Sequence, residues 1–269
     1  MSGEKKVVIV TGASSGIGLS LSEQLVGRGY RVVMVARTRA TLEAEVARLG
    51  EGAVAWPLDV GDLVALALLP EQVVARFGRL DAVVNNAGVN HRGPAMRQTP
   101  AALAQIIHVN LSAPVVLSRA ALPFLPEGGA IIQVGSLAGM VPVPEQGTYG
   151  ASKAGLRAFT SSIAEEHPKL HVSTVNPGPV DTGFFGELEQ VPDIVFSQPM
   201  STPDAVAARV LRCFDEPSAD IAIPGASGWL CTLGYLWPWL FRTLRPTVTA
   251  RGAAAKQRYA AIVAARSAR

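Results

Sequence analysis

Short β-branched runs alternate with longer segments of three-to-four-residue apolar period along most of the chain. Runs such as Val7-Val8-Ile9-Val10 and Val32-Val33-Met34-Val35 are apolar at consecutive positions. A strand wetted on one face would alternate, so both faces of these strands must be covered, as in a parallel sheet flanked by helices. The pattern predicts strands over 6–10, 31–36, 53–58, 82–85, 129–134, 171–175 and 220–223. It predicts helices near 16–28, 39–49, 62–76, 100–122, 148–166 and 203–215. Regular strand–helix alternation with right-handed crossovers implies an α/β fold. The expected architecture is a doubly wound parallel sheet of the Rossmann type, about seven strands with helices on both faces.

The first strand runs into Thr11-Gly12-Ala13-Ser14-Ser15-Gly16-Ile17-Gly18 and then a helix. The spacing is TGxxxGxG rather than GxGxxG, but the physics is shared. Glycines let the backbone turn sharply and approach a pyrophosphate, which the positive end of the helix dipole attracts. Gly12, Ser14, Ser15, Gly16, Ile17 and Gly18 are therefore candidate cofactor contacts. After the second strand, an NAD site would place an acid to grip the ribose 2′-hydroxyl. Here the chain reads Ala36-Arg37-Thr38-Arg39, with no acid before Glu43. Arg37 suits a 2′-phosphate through a charge-assisted contact, which favours NADP(H). Asp59, followed by Val60, is placed to accept from the adenine amine; alternatively it caps the next helix.

Further along stand Asn85-Asn86-Ala87-Gly88, Asn110 within a predicted helix, Ser136 after the fifth strand, and Tyr149 with Lys153 one helical turn apart. Pro177-Gly178-Pro179-Val180-Asp181-Thr182 follows the sixth strand. With this ordered set the sequence resembles the short-chain dehydrogenase/reductase family over about residues 5–223. The resemblance implies Asn110, Ser136, Tyr149 and Lys153 as the catalytic set. A tyrosine has a reference pKa near 10, too high for an efficient base at neutral pH, so a neighbouring cation must favour its phenolate. Tyr149 is then the acid/base and Lys153 the group that lowers its pKa and holds the nicotinamide ribose. Ser136 orients the substrate carbonyl. Asn110 matches the family's asparagine that bends its helix and anchors a water. Asn86, Ala87 and Gly88 would line the cofactor, with Pro177, Gly178, Val180 and Thr182 on its nicotinamide side. Thr182 reads equally well as a capping threonine. Each residue alone has a bland reading, such as a helix-surface aromatic or a solvated lysine; their joint order argues otherwise.

The four histidines, His91 beside the NNAG turn among them, show no ligand pattern, and no metal is expected. Cys213 and Cys231 read as two reduced thiols. The start MSGEKKVVIVTG has a short apolar run leading into a glycine loop, which argues against an export signal and for a cytoplasmic location. Net charge is +3, yet residues 221–269 hold seven Lys/Arg and no acid. The remainder carries 17 basic and 21 acidic side chains, a net of −4, so the basic character belongs to a tail and nucleic acid is not an expected partner.

In this tail, residues 221–241 carry no charge and include Trp229, Tyr235, Trp237, Trp239 and Phe241. Three readings stay open: a membrane span, an interfacial anchor on anionic lipid, or a substrate-pocket wall or subunit contact with a basic amphipathic helix after Pro246. Residues 184–199 read as a lid whose apolar side covers substrate. Residues 1–224 would form the cofactor-binding and catalytic domain, and 225–269 a C-terminal extension that is not an independent domain. The expected function is NADP(H)-dependent hydride transfer between nicotinamide and a small hydrophobic ketone or secondary alcohol, lipid-like or steroid-like. The alternatives are a 3-oxoacyl-thioester reductase and a non-catalytic nucleotide-binding redox sensor. By resemblance, a homodimer or homotetramer is expected, built through the helices carrying Asn110 and Tyr149.

Overall fold

A computed structural model describes residues 5–217 and 220–267. Strands β1 (Val7–Thr11), β2 (Arg31–Ala36), β3 (Ala53–Pro57), β4 (Ala82–Asn85), β5 (Ala130–Val134), β6 (His171–Pro177) and β7 (Asp220–Ile223) form one sheet in the order β3-β2-β1-β4-β5-β6-β7. All pairings are parallel, with Val8 beside both Val32 and Ala82. The helices are α1 (Gly16–Gly27), α2 (Arg39–Leu49), α3 (Leu63–Phe77), α4 (Pro100–Ile107), α5 (Ala113–Ala121), α6 (Gly147–Glu166), α7 (Pro203–Arg212), α8 (Gly225–Leu236) and α9 (Pro238–Ser267).

The consecutive apolar positions divide between two cores. Val8, Val10, Val32 and Met34 pack with Leu21 and Leu25 of α1, Leu42 of α2 and Val206 of α7. Val7, Ile9, Val33 and Val35 point the other way, onto Leu66 and Val73 of α3 and Leu117 of α5. Each such buried side chain contributes roughly 1.5–3 kcal/mol relative to exposure, which is why the strands tolerate no polar alternation. Helix starts follow local chemistry: Thr99 and Thr202 each precede a proline and accept from the backbone N–H of Ala102 and Ala205, both at 3.2 Å. The cap of α3 is Asp62, which accepts from the Ala65 N–H at 3.0 Å. Asp59 does not take that part; its Oδ1 accepts from the Gly61 N–H at 2.9 Å, closing a turn ahead of the helix.

Three expectations change. The helix predicted over 100–122 is interrupted by a π-helical turn at His108–Ser112, which contains Asn110. The run Pro100–Phe124 has the length and apolarity of a membrane-crossing helix, yet Ile106, Asn110, Leu117 and Ala121 are buried in the fold. The uncharged stretch 221–241 is not a span. It is divided among β7, α8 and the start of α9, and the 12 residues of α8 reach only about 18 Å against the ~30 Å of a hydrocarbon core. Nor does the last helix begin after Pro246: α9 starts at Pro238 and runs through Pro246, which has no N–H to offer the Arg242 carbonyl.

The C-terminal helices are packed onto the sheet's carboxyl end. Cys231 of α8 is buried with Leu137, Met140 and Val141. Ala255 and Tyr259 of α9 cover Phe185, Val191 and Phe196, from a segment of short 3₁₀ turns that ends with Asp193–Ser197. Gly252 permits this approach, because a Cβ there would run into the Asp193 carbonyl oxygen.

Candidate active site

The site lies at the carboxyl ends of β1 and β4, where the strand order reverses and open α/β sheets form a crevice. Gly12 and Gly16 adopt left-handed backbone, φ +65° and +54°, and a Cβ on Gly12 would stand 2.9 Å from the Ala87 Cα. Gly18 faces inward, where its missing Cβ lets α1 start against the Gly12 carbonyl. Thr11 ties the two loops together: its Oγ1 accepts from the Asn86 and Ala87 N–H groups, both at 3.0 Å. The Asn86 amide donates back to the Thr11 carbonyl at 2.9 Å and the Gly12 carbonyl at 3.2 Å. Sequence reasoning did not single out Thr11, although it opens the glycine motif.

Ser136 leaves β5, its backbone N–H donating to Asn176 Oδ1 at 3.2 Å and its Oγ accepting from the Ala138 N–H at 3.1 Å. Tyr149 and Lys153 project from one face of α6, both buried. Lys153 Nζ donates to the Val134 carbonyl at 2.8 Å and lies 5.9 Å from the centre of the Tyr149 ring. Asn110 stands behind them. Its Oδ1 accepts from the Val89 N–H and its Nδ2 donates to the Val89 carbonyl, both at 2.8 Å, with Ser152 Oγ at 3.3 Å. Using both faces of the amide on one residue fixes the main chain directly after Gly88.

A cavity of about 450 Å³ joins these parts. Of the residues expected from sequence, Gly12, Ser15, Gly16, Ile17, Asn86, Ala87, Gly88, Ser136, Tyr149, Lys153, Pro177, Gly178, Val180 and Thr182 line it. Ser14, Gly18, Arg37, Asp59, Val60 and Asn110 do not. Arg37 and Asp59 are exposed beyond the ends of β2 and β3, on the open part of the crevice, and Val60 is buried against α3. Thr182 serves its capping role, accepting from the Phe184 N–H at 3.3 Å, and also faces the bare Cα of Gly16. His91 is exposed and hydrogen-bonded to Gln105 at 2.7 Å.

The remaining wall is largely apolar: Val141, Phe184, Phe185, Ile194 and Val195, with Leu230 and Cys231 of α8 and Phe241 and Val248 of α9. The 184–199 segment turns some apolar side chains into the cavity, while Phe185, Val191 and Phe196 are buried against the tail. Arg92, which no sequence pattern marks, holds this segment. Its guanidinium donates to the Phe185 carbonyl at 2.7 Å and the Phe184 carbonyl at 3.1 Å, and lies 5.5 Å from the Phe184 ring centre. The Phe184 ring is 6.2 Å from that of Tyr149.

Burial governs the charges. It pushes the Tyr149 phenol above the ordinary tyrosine value, opposed by a hydrogen bond from Ser136 and by the positive charge of Arg92. The net direction is opposite to the acidification expected from Lys153, because desolvation outweighs both favourable influences. Lys153 is itself pulled down to about 8 by burial. Between there and the ordinary lysine value of 10.5, the unfolded chain binds a proton that the folded chain has released. Wild-type stability therefore gains with rising pH across that window. Lys153→Met removes the titration, so wild type should gain about 3 kcal/mol relative to the variant between neutral pH and pH 10.5. Urea unfolding of the ligand-free proteins at both pH values measures this; a constant difference would mean that Lys153 titrates normally.

A family model described as short chain dehydrogenase matches residues 6–192. The chain belongs to that family. Among curated relatives, the uncharacterized oxidoreductase YxnA of Bacillus subtilis is 33% identical, with 87% of this chain and 69% of that one covered. The 3-oxoacyl-[acyl-carrier-protein] reductase FabG of Escherichia coli is 35% identical over 68% of this chain and 76% of its own. A crystal structure of a short chain dehydrogenase from Burkholderia cenocepacia in complex with NADP superposes with a TM-score of 0.74 at 31% identity, covering 82% of this chain and 97% of that one. The family match stops before α7, α8 and α9.

Proposed function

We propose that this short-chain dehydrogenase is an NADP(H)-dependent oxidoreductase that interconverts a hydrophobic ketone and its secondary alcohol. The observation that carries the reading is one cavity lined together by the glycine cradle, by Ser136, Tyr149 and Lys153, and by a largely apolar wall. The cradle fits a dinucleotide because left-handed backbone at Gly12 and Gly16 lets the loop turn tightly into the start of α1, whose dipole attracts a pyrophosphate. A nicotinamide bound there supplies the hydride for a carbonyl carbon or accepts it from the alcohol.

The chain's own residues do the rest. Ser136 Oγ donates to the substrate oxygen and fixes it beside Tyr149. Tyr149 gives its phenolic proton to that oxygen during reduction and takes it back during oxidation. Lys153, held by the Val134 carbonyl, would grip the nicotinamide ribose, and its charge would then favour the phenolate that burial alone opposes. Asn110 positions Gly88 and Val89 against this lysine: a Cβ on Gly88 would be 3.8 Å from Lys153 Nζ. Asn86 to Gly88, Pro177, Gly178, Val180 and Thr182 flank the cofactor, and residues 225–269 complete the substrate wall that 1–224 leaves open. Assembly as a dimer or tetramer through α4, α5 and α6 belongs to the same reading.

Support for NADP(H) comes from Arg37, which is exposed after β2 and makes no ion pair among the described residues, whereas Arg39 pairs with Glu43 at 3.0 Å. The Burkholderia structure, with its NADP, points the same way. The test is oxidation of NADPH and NADH against ketones graded by chain length and ring count, with a 3-oxoacyl thioester included because of the Escherichia coli relative's name. NADPH should be preferred, and kcat/KM should rise with apolar bulk. Arg37→Asp should lower the NADPH preference about 10- to 100-fold, the loss of one or more charge-assisted hydrogen bonds. A preference left unchanged would remove Arg37 from the phosphate site, and faster thioester turnover would favour the acyl substrate.

A further inference from the structure

α8 is two-sided. Ser227, Gly228, Cys231 and Gly234 are buried against the fold, while Trp229, Leu233, Leu236 and Trp237 on the opposite side are exposed. The start of α9 continues this surface with Trp239, Leu240 and Leu244. Trp229 is 74% exposed and Trp239 65%, and this face holds three of the chain's four tryptophans. A contiguous apolar surface of this kind on a folded chain marks an interaction site.

Charge identifies the occupant. Arg242 and Arg245 follow Trp239 by about one and two turns, and Arg251 and Arg258 lie farther along α9. Among the described residues none of these four is in an ion pair, whereas Lys256 and Arg266 are matched by Asp193 and Asp181. No acid occurs in residues 221–269. Two copies meeting face to face would bring unpaired cations together with nothing to neutralise them. An anionic lipid surface supplies the missing charge, and tryptophan and tyrosine rings suit the headgroup boundary.

The cavity reaches the edge of this face at Leu230, which is largely exposed and also lines the cavity, and Cys231, Phe241 and Val248 continue that wall inside. We propose that the α8–α9 face rests on an anionic bilayer, placing the substrate entrance at the lipid boundary so that an apolar substrate enters without crossing water. The route of the substrate rests on the proposed reductase activity; the docking does not.

The full-length chain is mixed with phosphatidylcholine vesicles with and without phosphatidylglycerol. Cosedimentation should require the anionic lipid, weaken with salt and be accompanied by a blue shift of tryptophan emission. Trp229→Ser with Trp239→Ser should weaken binding at least about 10-fold, and Arg242→Glu with Arg245→Glu about 25-fold or more, at about fivefold per neutralised cation. Thermal unfolding checks that both variants fold. The proposal is overturned by absent wild-type binding, by unchanged binding in both variants, or by a dimer that the tryptophan variant dissociates. Turnover of a water-soluble ketone without vesicles is read in parallel. Its absence beside intact vesicle binding would overturn the reductase reading and support the docking alone.

Discussion

Tyr149→Phe should lower kcat by about 10³-fold, within the 10²–10⁴ that a positioned general acid contributes, while NADPH affinity stays within about twofold of wild type. The reasoning is local. The substitution deletes one oxygen and keeps the ring, which is buried on α6 with Phe184 alongside. The glycine cradle at Gly12 and Gly16 and the Lys153 hold on the Val134 carbonyl are untouched. What disappears is the only phenol in the cavity wall among the described residues, the group from which a developing alkoxide would draw its proton. Single-turnover reduction monitored by NADPH absorbance, with NADPH fluorescence titration beside it, separates chemistry from binding. Turnover within a few-fold of wild type would assign the proton to another donor. Because burial holds the wild-type phenol protonated, ketone reduction should be the favoured direction near neutral pH, and alcohol oxidation should speed up toward alkaline pH.

The second large effect should come from Gly252→Leu, far from the chemistry. A side chain at this position drives into the Asp193 carbonyl and forces α9 away from Asp193–Ser197. Ile194, Val195 and Ser197 of that segment line the cavity, so its displacement loosens the substrate wall and leaves the glycine cradle alone. A displacement of about 1 Å can cost roughly 10²-fold in rate, and kcat/KM on apolar ketones should fall by about that factor with NADPH affinity preserved. Steady-state kinetics and nucleotide titration on the same preparation give both numbers. An unaltered kcat/KM would show that α9 does not shape the substrate site.

Much of this architecture was readable because parallel strands covered on both faces must be apolar at every position, a signal strong enough to fix their order of appearance. At the other end, Ser136, Tyr149, Lys153 and the glycine cradle were legible through the ordered motifs that carry the family resemblance, and the fold brings them to one cavity. What escaped depends on contacts between distant segments. The π-helical turn around Asn110, whose amide pairs with Val89, leaves no mark on apolar periodicity, and only the resemblance pointed to a bend there. Arg92 is a lone loop arginine until the fold brings the Phe184 and Phe185 carbonyls to it. Asp59 and Asp62 are chemically alike, and only backbone geometry decides which one caps α3. Beyond the predicted strand 220–223, the tail's uniform apolarity hid its division into α8 and α9, because glycines at 228 and 234 replace bulk on the packed side and leave the aromatics outside.

The far end of α9 has a practical bearing. Asp181, between cavity-lining Val180 and Thr182, accepts from the Tyr259 hydroxyl at 2.6 Å and from Arg266 at 2.7 Å. The loop that carries these two lining residues is thus moored to the last described turns of α9. Handles, fluorophores and immobilisation chemistry are therefore better kept off α9 around Tyr259 and Arg266, where they would tug on that mooring.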